Sequence, residues 1–350
     1  MAVSAFDHPF LSGLLGDDET AQLLGSGAEI AAMLSFEIAL AKVEAQHGLI
    51  PAEAAAAIRD GLNGFRPDMA SLKAATARDG VVVPEFVRQL RAAVGEPHAK
   101  HVHFGATSQD VIDTAKICNL VPILVNFDDR LAKIDALFAG LDSRFGKNPL
   151  MAYTRMQPAI PIAASDRIES WRAPLGRHRA RLAALRPSLL VVQFGGAAGT
   201  LEKLGDNAAI IRKALAEELG LGDAPQWHSQ RDRIAEFAGW LSLVTGSLGK
   251  FGQDVALMAQ TGSGIALGGG GASSAMPHKQ NPVAAEILVT LARYNAVQLS
   301  GIHQALVHEL ERSGSAWTLE WLVLTNMVMA TAAATRIAVE LVGHIEHLGQ

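Results

Sequence analysis

The 350-residue chain carries 30 Lys+Arg against 35 Asp+Glu, a formal net charge of -5 that selects neither nucleic acid nor an anionic membrane as partner. Aromatic residues make up only 5% and mean hydropathy is +0.19, a balance that favours helices with small contact residues over sheets. Cys118 is the only cysteine, which excludes an intrachain disulfide and an intrachain thiolate metal cluster; a partly buried helical thiol is expected. Near the N-terminus Asp7, Asp17, Asp18 and Glu19 interrupt any apolar leader, so a cytoplasmic location is expected.

The first third reads as short helices at about 18–47, 51–61, 69–77 and 84–94. Pro51 and Pro84 suit first-turn positions, and Gly48, Gly61 and Gly95 suit stops. These make an expected N-terminal helical domain, 1–98, feeding a central long-helix bundle domain, 99–350. A long helix is predicted over about 110–145, with Ile117, Leu120, Leu124, Phe127, Leu131, Ile134, Phe138 and Leu141 on one face and a kink at Pro122. The one β-like run is 189–194, and no alternating strand pattern lasts elsewhere. Over 230–260, Ile234, Phe237, Leu241, Val244, Leu248, Phe251, Val255 and Met258 recur at spacings of three and four, a heptad seam. Further helices are expected over about 281–310 and 316–345. The stretch 322–342 is the most apolar, but Thr325, Asn326, Arg336 and Glu340 interrupt it, so it reads as a helix enclosed by neighbours, other subunits among them, and not as a membrane span. The fold class is all-α, a long-helix bundle.

Three polar segments break this pattern at the edges of long helices. In the first, 101–110, Thr107, Ser108 and the following amides suit a carboxylate, while Ser108 or Asp110 equally suits a plain N-cap. In the second, 153–161, Arg155 suits a bidentate carboxylate clamp oriented by Gln157, or else a solvated loop position. The third, 261–282, runs through Gly268, Gly269, Gly270 and Gly271 into Ser273 and Ser274, then Lys279 and Asn281 at the start of a helix. Such glycines suit a loop that opens and closes, and an amine, a carboxamide and helix N-terminal amides suit developing negative charge. No Gly-Lys-Ser/Thr follows at P-loop spacing, and no carboxylate or cysteine framework surrounds His101/His103 or His344/His347, so neither a phosphate loop nor a metal site is expected.

Together the segments resemble the fumarase/aspartase superfamily over essentially the whole chain. The third is similar to its signature Gly-Ser-Ser-x-Met-Pro-x-Lys-x-Asn-Pro, with Ala272 at the first glycine. Thr107, Ser108 and Asp110 are similar to its Thr-Ser-x-Asp region, and where many members carry Thr-His-x-Gln this chain has Thr154, Arg155, Met156 and Gln157. Phrases at 103–110, 193–199 and 227–232 are similar to the branch of lactonising muconate cycloisomerases. The resemblance implies a homotetramer with a shared helical core, active sites drawn from three subunits, no cofactor and no metal. It also implies that the C-terminal domain of longer relatives is absent. By the same resemblance Ser273 transfers the proton, Lys279 and Asn281 complete the catalytic set, and Thr107, Ser108 and Ser274 hold carboxylate oxygens. His103, His228 and Arg231 are further binding or relay candidates.

The missing histidine bears on the reaction. A lyase that expels an amine or adds water must manage a proton on that group. In a lactonisation the entering group is the substrate's own carboxylate, ionised at neutral pH with a pKa of about 4, and tethered. Arg155 in place of histidine then costs little and adds a cation for a tricarboxylate. The expected activity is lactonisation of a 3-carboxylated muconate in aromatic catabolism. The rivals are an adenylosuccinate-lyase-like C–N lyase and a non-catalytic relative that keeps the bundle.

Overall fold

The computed structural model describes residues 4–262, 264–272, 276 and 280–350. Six helices come first: α1 (Ser12–Leu15), α2 (Asp18–Leu24), α3 (Ser26–Gln46), α4 (Ala52–Leu62), α5 (Met69–Asp79) and α6 (Val83–Val94). α2 and α3 were expected as one helix. Gly25 takes an extended conformation (ψ 159°) and bends the pair by 43°. The Asp17 side chain caps α2 through Thr20 N, and Gly80 ends α5 in left-handed backbone.

α7 (Ser108–Phe145) runs 38 residues, through Pro122, and every apolar position expected on its seam is buried. The chain then turns through an antiparallel hairpin, β1 (Pro149–Thr154) and β2 (Gln157–Ala163), into α8 (Ala164–Leu189). The expectation of no strands fails at this hairpin. Pro158 and Pro161 lie within β2, which is tolerated because a two-stranded ribbon is all edge. The β-like run 189–194 forms only a single bridge, Val191 to Gly222. After α9 (Ala208–Glu218) come α10 (Asp232–Thr261), β3 (Ile265–Leu267), α11 (Val283–Gln304), α12 (Ser315–Gly343) and β4 (Ile345–Leu348), which pairs with β3.

α7, α8, α10, α11 and α12 form the bundle around one core. All eight heptad residues of α10 are buried. Gly249 and Gly252 face α11 so closely that a Cβ at Gly249 would run into Ala292 and one at Gly252 would lie 2.5 Å from the Ala285 carbonyl oxygen. Small residues here let the two helices touch backbone to backbone. α12 is long and apolar enough to cross a membrane, but 72% of its most apolar stretch is buried inside the protein. Most of that stretch is therefore enclosed by this chain's own helices.

Candidate active site

The first segment is organised by one carboxylate. Asp110, fully buried in the first turn of α7, accepts from Thr107 N (3.0 Å), Gly195 N (2.9 Å), Gly196 N (2.9 Å), Gln193 Nε2 (3.2 Å) and His228 Nε2 (2.8 Å). The three stretches 103–110, 193–199 and 227–232 thus meet at a single side chain. A carboxylate only accepts, so His228 carries its proton on Nε2, and its buried Nδ1 has no partner among the described residues. Gly195 has to be glycine: a Cβ there would sit 2.8 Å from His228 Cε1 and 2.7 Å from Gln226 Cβ.

Beneath this turn lies a buried ionic cluster. Arg231 bonds Asp113 through Nη1 (2.6 Å) and Nη2 (3.1 Å), and Glu320 through Nε (2.8 Å) and Nη2 (2.8 Å). Its guanidinium also lies 4.6 Å from the Trp227 ring, and Lys116 reaches Glu320 at 3.0 Å. Burial works against the Arg231 charge, but Asp113 and Glu320 outweigh it and hold the guanidinium above its usual value. Burial likewise raises the Glu320 carboxyl, and Lys116 and Arg231 overcome that to bring it below the ordinary range. Every Arg231 nitrogen is engaged with these carboxylates, which tie α7, α10 and α12 together at this end of the bundle.

Arg312 was not singled out by sequence. It donates to Thr107 Oγ1 (3.1 Å) and to the carbonyls of Gly196 (3.3 Å) and Ala197 (3.1 Å), all uncharged oxygens, and remains partly exposed. Nothing in residues 309–313 separates it from an ordinary surface arginine, since its partners lie 115 to 205 positions away. His308, in the same loop, has no hydrogen bond to either ring nitrogen among the described residues, and burial followed by Arg231 lowers its pKa.

The second segment lies elsewhere. Arg155 and Met156 form the two-residue tip of the β1–β2 hairpin, both in left-handed backbone (φ 48° and 68°), and Arg155 and Gln157 are exposed. Two positive φ values are what a type I′ turn needs, yet neither residue is the asparagine or glycine that usually supplies them. The strain is stored where an exposed cation is presented. A cavity of about 730 Å³ opens beside it, lined by Tyr153, Arg155, Arg167, Lys250 and Asp254 among others.

Of the third segment, Ser273, Ser274 and Lys279 lie outside the described residues. Its ends are clipped: Gly271 N donates to Asn281 O and Asn281 N to Gly271 O, each at 3.0 Å. The partly buried Asn281 stands just before α11. The loop from 262 onward leaves the far end of α10, next to β1, since Gly264 packs on Leu150. Thr107 and Ser108 therefore sit at one end of the bundle, with Arg155 and Asn281 at the other. α7, which starts beside Thr107, is itself roughly 57 Å long at 1.5 Å per residue.

Residues 18–297 match the profile of a lyase family. The chain belongs to this family. It is 40% identical to a 3-carboxy-cis,cis-muconate cycloisomerase of Pseudomonas aeruginosa, over 90% of this chain and 70% of that relative. The crystal structure of a 3-carboxy-cis,cis-muconate lactonizing enzyme from Pseudomonas putida superposes with a TM-score of 0.91 at 36% identity, covering 97% of this chain and 77% of that one. A fumarate lyase from Mesorhizobium sp. BNC1 superposes with a TM-score of 0.88 at 31% identity, covering 96% and 76%. The mostly helical fumarase/aspartase architecture expected from the signature is the one observed.

Proposed function

We propose that the chain is a 3-carboxy-cis,cis-muconate cycloisomerase. The likeness to enzymes of that name over nine-tenths of the chain carries this reading, and Arg155 at the strained hairpin tip agrees with it. One carboxylate oxygen of the substrate adds to the distal double bond. The π electrons move onto the adjacent carbon, giving an aci-carboxylate, and that carbon takes a proton from the Ser273 hydroxyl. The serine recovers its proton from water, so a tricarboxylate and one proton become a dicarboxylate lactone. No base is needed to activate the attacking carboxylate, which is ionised at neutral pH, and the tether removes the entropy cost of a bimolecular step.

In this reading Thr107 and Ser108 hold one carboxylate, with Arg312 as an added cation beside Thr107. Arg155, oriented by Gln157, holds a second, and Lys279, Asn281 and Ser274 stabilise the charge that develops. His228 and Arg231 act through Asp110 and Asp113, shaping the first segment from beneath. Because Thr107 and Ser108 open α7 while the hairpin and Asn281 lie towards its far end, we take a working site to combine segments from different copies of the chain. Exposed apolar residues on the bundle helices, Val121 and Val125 of α7, Leu243 of α10, Val297 of α11 and Leu322 of α12, support such an assembly, which we take to be a homotetramer.

The test is an ultraviolet assay of the purified protein with 3-carboxy-cis,cis-muconate and, separately, with adenylosuccinate. Turnover of the diene alone is expected; turnover of adenylosuccinate alone would replace this reading with a C–N lyase.

A further inference from the structure

A buried acid pair in the N-terminal helices is unused by this chemistry. Glu37 and Glu44, seven residues apart on α3 and hence on one face, are 2% and 0% exposed. Glu37 Oε1 lies 2.7 Å from His103 Nδ1, whereas neither oxygen of Glu44 has a hydrogen-bond partner among the described residues. Burial first, and the Glu37 charge second, push the Glu44 carboxyl up to about 9. At neutral pH Glu44 is therefore a neutral acid.

A carboxylate only accepts, so the proton between Glu37 and His103 sits on Nδ1, and Nε2 is turned away from the acid. His103 holds left-handed backbone (φ 64°), a conformation unfavourable to a residue with a Cβ, and Gly105 follows at φ 71°. A Cβ on Gly105 would stand 2.9 Å from Leu204 and 3.9 Å from Glu44 Oε1, which places the acid pair directly under this turn. The turn leads into Thr107 and Ser108.

We propose that Glu37 is a positioning residue for the lactonisation: through Nδ1 it fixes the His103 ring and its strained turn, and so presents Nε2 to the substrate carboxylate held at Thr107 and Ser108. The proposal rests on the cycloisomerase reading above. A carboxylate behind a histidine sets both tautomer and ring orientation, the geometry a ring needs to donate to an anion from a fixed position.

The experiment measures kcat and KM for 3-carboxy-cis,cis-muconate with wild type, E37Q, H103N and the double variant. Asparagine tolerates the left-handed backbone and keeps a polar group near the Nδ1 position while removing Nε2. E37Q is expected to lower kcat/KM about tenfold with its thermal midpoint nearly unchanged, and H103N at least as much. In the H103N background, E37Q is expected to change kcat/KM less than about twofold, because Glu37 acts only through the ring. Wild-type kcat/KM in E37Q, or an equal loss in both backgrounds, would overturn the proposal. Where E37Q does not fold, E37D is measured against the same outcomes. Wild type without any turnover overturns the cycloisomerase reading itself.

Discussion

With five donors on one carboxylate, Asp110 pins the backbone of the turn at Thr107 to the 193–196 stretch and to His228. Arg155 differs: it is exposed, strained and free to meet an anion. Arg155→His is expected to lower kcat/KM for the tricarboxylate about tenfold or more, the loss of one charge-assisted contact of about 1.5–3 kcal/mol; an unchanged or faster enzyme would remove Arg155 from the binding set. Glu44 gives a pH signature at the same scale. Its folded pKa of about 9 stands above the ordinary glutamate value of 4.5, so the folded protein keeps a proton that the unfolded chain gives up. The stability this brings is whole below pH 4.5 and is lost as pH rises towards 9, at most about 1.4 kcal/mol per unit. Thermal melts from pH 6 to 9 should show wild type falling steadily and E44Q staying flatter; parallel curves would mean Glu44 is not a buried neutral acid. The chemistry of Asp110 was legible only in part. Thr107, Ser108 and Asp110 read as a motif, but the donors from Gly195, Gly196 and His228 lie 85 to 118 residues downstream, beyond any local pattern.

At the level of elements, the long helices were legible because their seams are periodic: the eight predicted seam residues of α7 and the eight of α10 are all buried. The β1–β2 hairpin was not. Its turn lacks glycine and asparagine, its second strand contains two prolines, and its exposed faces show no alternation. α8 was similarly masked, with Pro174 and Pro187 inside it and a polar overall composition. The α10–α11 contact also escaped the periodic reading, because Gly249 and Gly252 are defined by what they leave out. Gly252→Ala puts a methyl 2.5 Å from the Ala285 carbonyl oxygen, so α10 and α11 must part. A loss of about 1–3 kcal/mol in chemical denaturation is expected, the usual cost of overpacking. No loss would mean that the two helices slide apart freely.

For the whole molecule, the proposed site is shared between copies, since Thr107 opens α7 and the hairpin that carries Arg155 follows its far end. Mixing inactive S273A with inactive R155A/T107A, after dissociation and reassembly, should restore part of the wild-type activity, because some mixed sites then draw only intact segments. No recovery in a verified mixed oligomer would argue for a site within one copy. The assembly was suggested in the sequence by an over-apolar helix, yet α12 turns out to be enclosed mainly by its own chain. The separation of the segments, which only the fold reveals, is the stronger reason. The chemistry itself has a sharper signature. Lactonisation turns a tricarboxylate and a proton into a dicarboxylate, so in weakly buffered solution each diene lost should remove one proton, read simultaneously by ultraviolet absorbance and by an indicator dye. A ratio of one proton per diene is the predicted result; diene loss without proton uptake, or no diene loss at all, would contradict it.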